Sequence, residues 1–261
     1  MKTILLVIMW ILIGVIGFAA FMFVLSFILS LFISKEKEYE KKSNFYWKLL
    51  QFDTALTFLY ARIHVHVTGK EKLPEGRYLI VENHRSKFDP IITWHVFKDQ
   101  TPSCISKSEN FSIPIFGRVI RRCLFLAIDR DNPFKARETV DRAAELIKND
   151  ECSVAVWPEG TRSKNKQLLP FHNGMFKIAK EAGVPIVVVA IDGTENISKN
   201  FPLHRTDISF DIIDVLDADY VISHHTHEIG EHVADDIIEH LPDATPIHPV
   251  ATTMIHGEKV S

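Results

Sequence analysis

From residue 63 onward the chain reads as an α/β domain with a mostly parallel central sheet, and this domain is preceded by N-terminal membrane helices. Two patterns predict that architecture. Short apolar, β-branched runs alternate with helical stretches, which is how a parallel sheet with crossover helices is written in sequence. Ahead of them, Ile4 to Ile33 contains no charged residue. Thirty helical residues at 1.5 Å rise cover about 45 Å, more than the roughly 30 Å hydrocarbon core of a bilayer. With 261 residues, 46% of them hydrophobic, the chain can build one sizeable core and carry an appendage.

The first element is the hydrophobic helix over residues 4–33. A cleaved signal peptide has a shorter apolar core and a small-residue cleavage site, whereas this run leads straight into Ser34-Lys35-Glu36-Lys37. Lys35, Lys37, Lys41, Lys42 and Lys48 follow it and only Lys2 precedes it. The positive-inside rule therefore puts the bulk of the chain on the cytoplasmic side. The excess length allows a tilted span or a bend near Gly14 and Gly17 that returns the chain to the same leaflet. Next, Phe45, Leu49, Phe52, Leu56 and Leu59 recur at helical spacing and predict an amphipathic helix over residues 43–62. Its apolar face has two hosts to choose between, the folded domain and the membrane interface. Residues 1–62 are thus read as a membrane anchor.

Strands are predicted at Ile63–Val67, Tyr78–Val81, Ser103–Ser106, Cys123–Ile128, Ser153–Trp157, Val184–Ile191 and Ile208–Leu216. Helices are predicted at Pro90–Lys98, Pro133–Lys148, Asn173–Glu181 and Glu228–His240. Two of these open with proline behind a capping residue, Asp89-Pro90 and Asn132-Pro133. Residues 63–241 form the folded domain. Residues 242–261, with Pro246 and Pro249 and few large apolar side chains, read as a surface tail.

The net charge of −3 conceals an asymmetry. Residues 201–261 hold twelve Asp and Glu against Arg205 and Lys259, so the first 200 residues carry about +7. The front of the chain is the part suited to phosphate or an anionic surface. Cys104, Cys123 and Cys152 each sit in an apolar stretch, which predicts buried free thiols in a reducing compartment rather than a disulfide framework.

Chemistry concentrates at strand ends, where open α/β sheets form their ligand sites. Asn83-His84-Arg85-Ser86-Lys87-Phe88-Asp89-Pro90 follows one strand and precedes a helix. A carboxylate five residues beyond a histidine can accept one ring N–H and leave the other nitrogen free to take a proton. The plainer alternative makes Asp89 a helix cap and His84 a turn residue. Lys107-Ser108-Glu109-Asn110 and Ile128-Asp129-Arg130 put Lys107 and Arg130 at strand ends, either as phosphate ligands or as ordinary surface charge. The strand Ser153–Trp157 breaks into Pro158-Glu159-Gly160-Thr161-Arg162-Ser163. Gly160 there permits positive φ, and the turn can aim N–H groups and Arg162 at an anion.

Taken in order, these blocks resemble the glycerolipid acyltransferase family, in particular its 1-acylglycerol-3-phosphate acyltransferases. That family shows an N-H-x-S-x-x-D block, a K-x-E block, an F-P-E-G-T-R-S block and a V-P-I-V-P block. In this chain they read Asn83–Asp89, Lys107–Gly117, Trp157–Ser163 and Val184–Val188. The resemblance covers about residues 60–200. Trp157 stands where Phe is usual, Asn110 where Leu is usual and Val188 where a second Pro is common. The last departure leaves the acyl-binding wall, and so chain-length preference, open.

The resemblance implies an acyltransferase-type αβ sandwich. It implies His84 and Asp89 as the catalytic pair, with Lys107, Arg130, Glu159, Gly160, Thr161 and Arg162 on the glycerophosphate. The expected reaction moves an acyl chain from acyl-CoA or acyl carrier protein to lysophosphatidic acid, giving phosphatidic acid. Membrane lipids are expected partners; no cofactor, metal or nucleic acid is. Two alternatives stand beside it, an acyltransferase acting on another lysophospholipid or hydroxylated or amino lipid, and a non-catalytic membrane lipid-binding protein.

Other residues have blander readings. His224, His225, His227 and His232 lie among carboxylates, but no cysteine accompanies them and their spacing matches no closed zinc site. His64 and His66 alternate on one strand face. Ser86 lacks the G-x-S-x-G turn that exposes a nucleophilic serine.

Overall fold

The computed structural model describes residues 2–129, 132–241, 243 and 244. Helix α1 (Lys2–Leu31) is followed by α2 (Asn44–Ala61), and the chain then enters β1 (Ile63–Thr68). Next come β2 (Leu79–Glu82), α3 (Asp89–Val96), β3 (Ser103–Lys107), α4 (Phe116–Arg122), β4 (Leu126–Ile128), α5 (Pro133–Lys148) and β5 (Val154–Val156). The chain continues through α6 (Lys177–Ala182), β6 (Ile186–Asp192), α7 (Ile197–Asn200), β7 (Thr206–Leu216), α8 (Ala218–Ser223) and α9 (Thr226–His240).

The seven strands form one sheet in the order β1-β7-β6-β2-β5-β3-β4. All pairings are parallel except β6 with β7. The β2, β5 and β6 runs are buried along nearly their whole length, as parallel strands covered on both faces must be. One face packs Trp47, Leu50 and Phe58 of α2, Ile92 and Trp94 of α3, and Val119 and Ile120 of α4 against the sheet. The other packs Val140 and Ile147 of α5, Ile178 of α6, and Ile229, Val233 and Ile237 of α9. The result is an αβα sandwich.

Topology then decides where the motifs meet. Strands β3, β5 and β2 are adjacent and parallel, so Lys107, the Pro158–Ser163 turn and the His84 segment leave the sheet at the same carboxyl edge. The side chain of Asn83 extends this edge: its amide donates to the Ile191 carbonyl at 2.9 Å and accepts from the Ile191 N–H at 2.8 Å. One side chain thereby continues the β2–β6 ladder for one more step and fixes where His84 begins.

Within α1, Met9–Leu31 is long and apolar enough to cross a membrane, with a mean hydropathy of 2.7. Its C-terminal end meets the domain: Tyr46 donates to the Leu29 carbonyl at 3.0 Å, and Arg118 donates to the Ser30 carbonyl at 3.1 Å. Helix α2 is apolar on two sides. The sandwich takes Trp47, Leu50, Thr54, Phe58 and Ala61, whereas Phe45, Phe52 and Leu59 of the face expected from the sequence remain exposed.

Several boundaries differ from expectation for local reasons. The run from Cys123 is strand only from Leu126, because Cys123 closes α4 and Leu124 takes a φ of 65° to leave it. Asn173–Glu181 divides into a 3₁₀ turn at Asn173–Phe176 followed by α6. Asn132 caps α5 as expected, accepting from the N–H groups of Phe134 and Lys135. Asp89 does not cap α3; it is the first helical residue, and its carboxylate is engaged behind it. Cys104, Cys123 and Cys152 are buried and free.

Candidate active site

The turn after β2 is built around one carboxylate. Asp89 Oδ2 accepts from the backbone N–H groups of Arg85 at 2.8 Å and Ser86 at 2.7 Å, and faces His84 Nδ1 at 2.7 Å. Its Oδ1 accepts from the Thr194 hydroxyl at 2.6 Å. Asp89 is fully buried, while the His84 side chain keeps 18% of its surface exposed. An ionised carboxylate only accepts, so His84 Nδ1 carries the proton and Nε2 is left as the basic nitrogen. Ser86 is buried and holds this turn: its N–H meets Asp89 and its Oγ accepts from the Phe88 N–H at 3.3 Å. The Trp157 ring lies against His84, with centroids 5.5 Å apart.

The turn after β5 is tied to the first. Glu159 points inward, not toward solvent: Oε1 accepts from the His84 N–H at 2.5 Å and Oε2 from the Leu169 N–H at 2.9 Å. Burial pushes its carboxyl up to about 7, against those two donors, which pull it down. Ser163 N–H donates to the His84 carbonyl at 2.8 Å, so both backbone groups of His84 are held by the second turn. Gly160 adopts a φ of 67°, which a side chain at that position would oppose. The buried guanidinium of Arg85 reaches Asp192 at the end of β6 and Asp243 beyond α9, where Lys166 also pairs with Asp243.

In front of His84 lies a cavity of about 850 Å³. Of the expected site residues it brings together His84, Lys107, Gly160, Thr161 and Arg162. Asp89 stands behind His84, and Glu159 is buried under the turn, so neither lines the cavity. Arg130 lies outside the described residues. Among the described lining residues there is no Asp or Glu, while Lys87 and His172 add further basic groups. The apolar part of the lining includes Ile91, Trp94, Ile105, Phe116, Phe125 and Met175. A cavity that joins a basic nitrogen, exposed cations and buried apolar side chains suits an amphiphile with an anionic head.

Sequence reasoning missed Lys87, Trp94, Phe125 and His172. Lys87 lies inside the first block and was legible there. Trp94, Phe125 and His172 reach the cavity only through the packing of α3 and the approaches to β4 and α6, which no local spacing encodes.

The histidine-rich stretch is dispersed. His225 caps α9 in a capping box with Glu228, and His224 stacks on Tyr220 at 3.8 Å. His232 Nε2 stands 3.4 Å from Asp214 and 3.6 Å from Asp236. His66 pairs with Asp207 on the exposed edge of β1.

Comparison with known proteins gives a consistent picture. Residues 64–192 match the family model described as Acyltransferase. A 1-acyl-sn-glycerol-3-phosphate acyltransferase of Haemophilus influenzae is 33% identical over 152 residues, covering 58% of this chain and 62% of that protein. The protein of the same description in Escherichia coli is 29% identical over 157 residues, covering 60% of this chain and 64% of its own. The match thus spans less than two thirds of the length of these relatives. Among solved structures, the LPA acyltransferase PlsC of Thermotoga maritima superposes with a TM-score of 0.62 at 25% identity, covering 76% of this chain and 78% of that one.

Proposed function

We propose that this chain, whose residues 64–192 match the family model described as Acyltransferase, acylates the free hydroxyl of 1-acylglycerol-3-phosphate to give phosphatidic acid. The observation that carries this reading is the cavity itself, which His84 lines together with the exposed cations Lys87, Lys107 and Arg162 and with a set of buried and half-buried apolar side chains.

In this reading the lysolipid phosphate sits among Arg162, Lys107 and Lys87, and acyl chain lies against the apolar side chains. The acceptor hydroxyl is brought to His84 Nε2. As the hydroxyl oxygen attacks the thioester carbonyl, Nε2 takes its proton, and Asp89 stabilises the imidazolium. Collapse of the tetrahedral intermediate breaks the C–S bond, and the proton held on Nε2 goes to the departing thiolate. The products are the ester and a free thiol, with no covalent enzyme intermediate. With the Gly160 N–H donated to the Trp157 carbonyl, the turn offers the backbone N–H groups of Thr161 and Arg162 to the oxyanion. Glu159 is a structural carboxylate in this scheme: it holds the His84 backbone and does not touch phosphate. The donor is acyl-CoA or acyl carrier protein.

The apolar α1 and the exposed face of α2 keep the domain at a membrane, where acceptor and product both reside. The lysines that follow α1 favour the cytoplasmic side. Purified full-length protein is to be given acyl-CoA with lysophosphatidic acid or lysophosphatidylcholine, and products identified by mass spectrometry. Phosphatidic acid from the first acceptor and little product from the second is the expected result. The reverse preference would move the assignment to another lysolipid.

A further inference from the structure

Glu82 is a buried acid that the mechanism above does not use. It is the last residue of β2, two positions before His84, and none of its surface is exposed. Its two oxygens reach the His84–Asp89 pair from different sides. Oε2 accepts the indole N–H of Trp157 at 3.0 Å, and the Trp157 ring lies against His84. Oε1 stands 2.6 Å from Thr93 Oγ1, which is itself 2.9 Å from the carbonyl oxygen of Asp89. One hydroxyl proton cannot serve both of those oxygens. A protonated Glu82 completes the chain, its O–H donating to Thr93 and the Thr93 proton going to the Asp89 carbonyl. Burial holds the Glu82 carboxyl well above the usual range, with the Asp89 charge pushing the same way and the bond from Trp157 opposing it. The Cys104 thiol of β3 also faces it, and burial raises that thiol.

We propose that Glu82 is a positioning residue, clamping Trp157 against the His84 ring and, through Thr93, fixing the backbone of Asp89 so that the pair keeps its geometry during turnover. Its kinetic effect rests on the acyl-transfer reading; the clamp itself does not. Loss of the clamp lets the base drift by a fraction of an ångström, which lowers turnover while Lys107 and Arg162, the cations proposed to hold the phosphate, keep their places.

The test uses full-length protein in detergent with lysophosphatidic acid and acyl-CoA. Glu82→Met keeps volume but removes both oxygens, and Glu82→Gln keeps an acceptor for Trp157 and a donor for Thr93 without any charge. Glu82→Met is expected to lower kcat about 10- to 100-fold with KM within about twofold, and Glu82→Gln to restore kcat to within about threefold. Glu82→Gln should also leave the acid limb of kcat/KM in place, because no charge is removed. A folded Glu82→Met with wild-type kcat overturns the proposal, as does a Glu82→Gln that is equally slow or whose acid limb moves down by about one pH unit. If Glu82→Met does not fold, Trp157→Phe deletes only the clamped N–H and part of the ring; a wild-type kcat there overturns the proposal too. Wild-type protein that transfers no acyl group would sink the functional reading alone. The clamp is then read from the His84 ring titration by 15N NMR, which Glu82→Gln should leave in place and Trp157→Phe should shift.

Discussion

Asp89→Asn removes one charge from the interior and almost nothing else. The amide oxygen can still accept from the Arg85 and Ser86 N–H groups and from His84 Nδ1, and the amide nitrogen can donate to Thr194. What is lost, in the proposed mechanism, is the counter-ion of the imidazolium formed on His84. The 2.7 Å contact between Nδ1 and Oδ2 separates the centres of the two delocalised charges by about 4 Å, worth about 4 kcal/mol at an effective permittivity of about 20. At about 1.4 kcal/mol per decade, kcat should fall about 10³-fold. Because Asp89 is fully buried and does not line the cavity, KM for both substrates should hardly change. The assay is steady-state thiol release, with thermal unfolding of the variant as the control for folding. A well-folded Asp89→Asn whose kcat lies within about tenfold of wild type would refute the assignment of Asp89 as charge partner.

Other consequences are open to measurement. Arg162→Ala removes a cation from the cavity and leaves the base intact, so KM for lysophosphatidic acid should rise about 10- to 100-fold with kcat little changed, read by titrating the acceptor. Glu159 ties stability to pH: between its usual 4.5 and its folded value of about 7 the folded state holds a proton that the unfolded state has released. This group's contribution is therefore fully present below 4.5 and is lost as pH rises through about 7, by about 3 kcal/mol in all. Thermal melts of Glu159→Gln should lose that slope, and an unchanged slope would count against it. Arg85→Ala leaves the carboxylates of Asp192 and Asp243 without their buried partner. Because both acids are partly exposed, the cost should be about 1–3 kcal/mol, a lowering of the melting temperature by several degrees.

Much of the architecture could be read from the chain because its signals are local. The buried runs at β2, β5 and β6 carry no charge until their last residues, and Asn132-Pro133 states the start of α5 in two letters. The pairing of His84 with Asp89 was legible for the same reason: five residues across one turn leave few ways to close it. Long-range features were not. Glu159 belongs to a turn that suggests anion binding, yet its side chain faces the protein, because only there can it meet the His84 and Leu169 N–H groups. The face of α2 followed the same rule. Phe45, Phe52 and Leu59 have the right spacing for a core, but Trp47, Leu50 and Phe58 are the side chains that the sandwich covers. Helix α4 escaped notice because its sequence, Phe116–Arg122, is short and basic; its start is set by Gly117, packed so closely on the Phe111 backbone that any Cβ would collide with it.

The central claim is that Nε2 of His84 deprotonates the acceptor hydroxyl. The most direct measurement is acceptor-dependent thiol release from acyl-CoA or acyl carrier protein by purified protein, run beside His84→Ala at matched folding. Release that needs lysophosphatidic acid, yields phosphatidic acid and disappears in His84→Ala is the predicted result. Acyl transfer that survives in a folded His84→Ala would contradict the account.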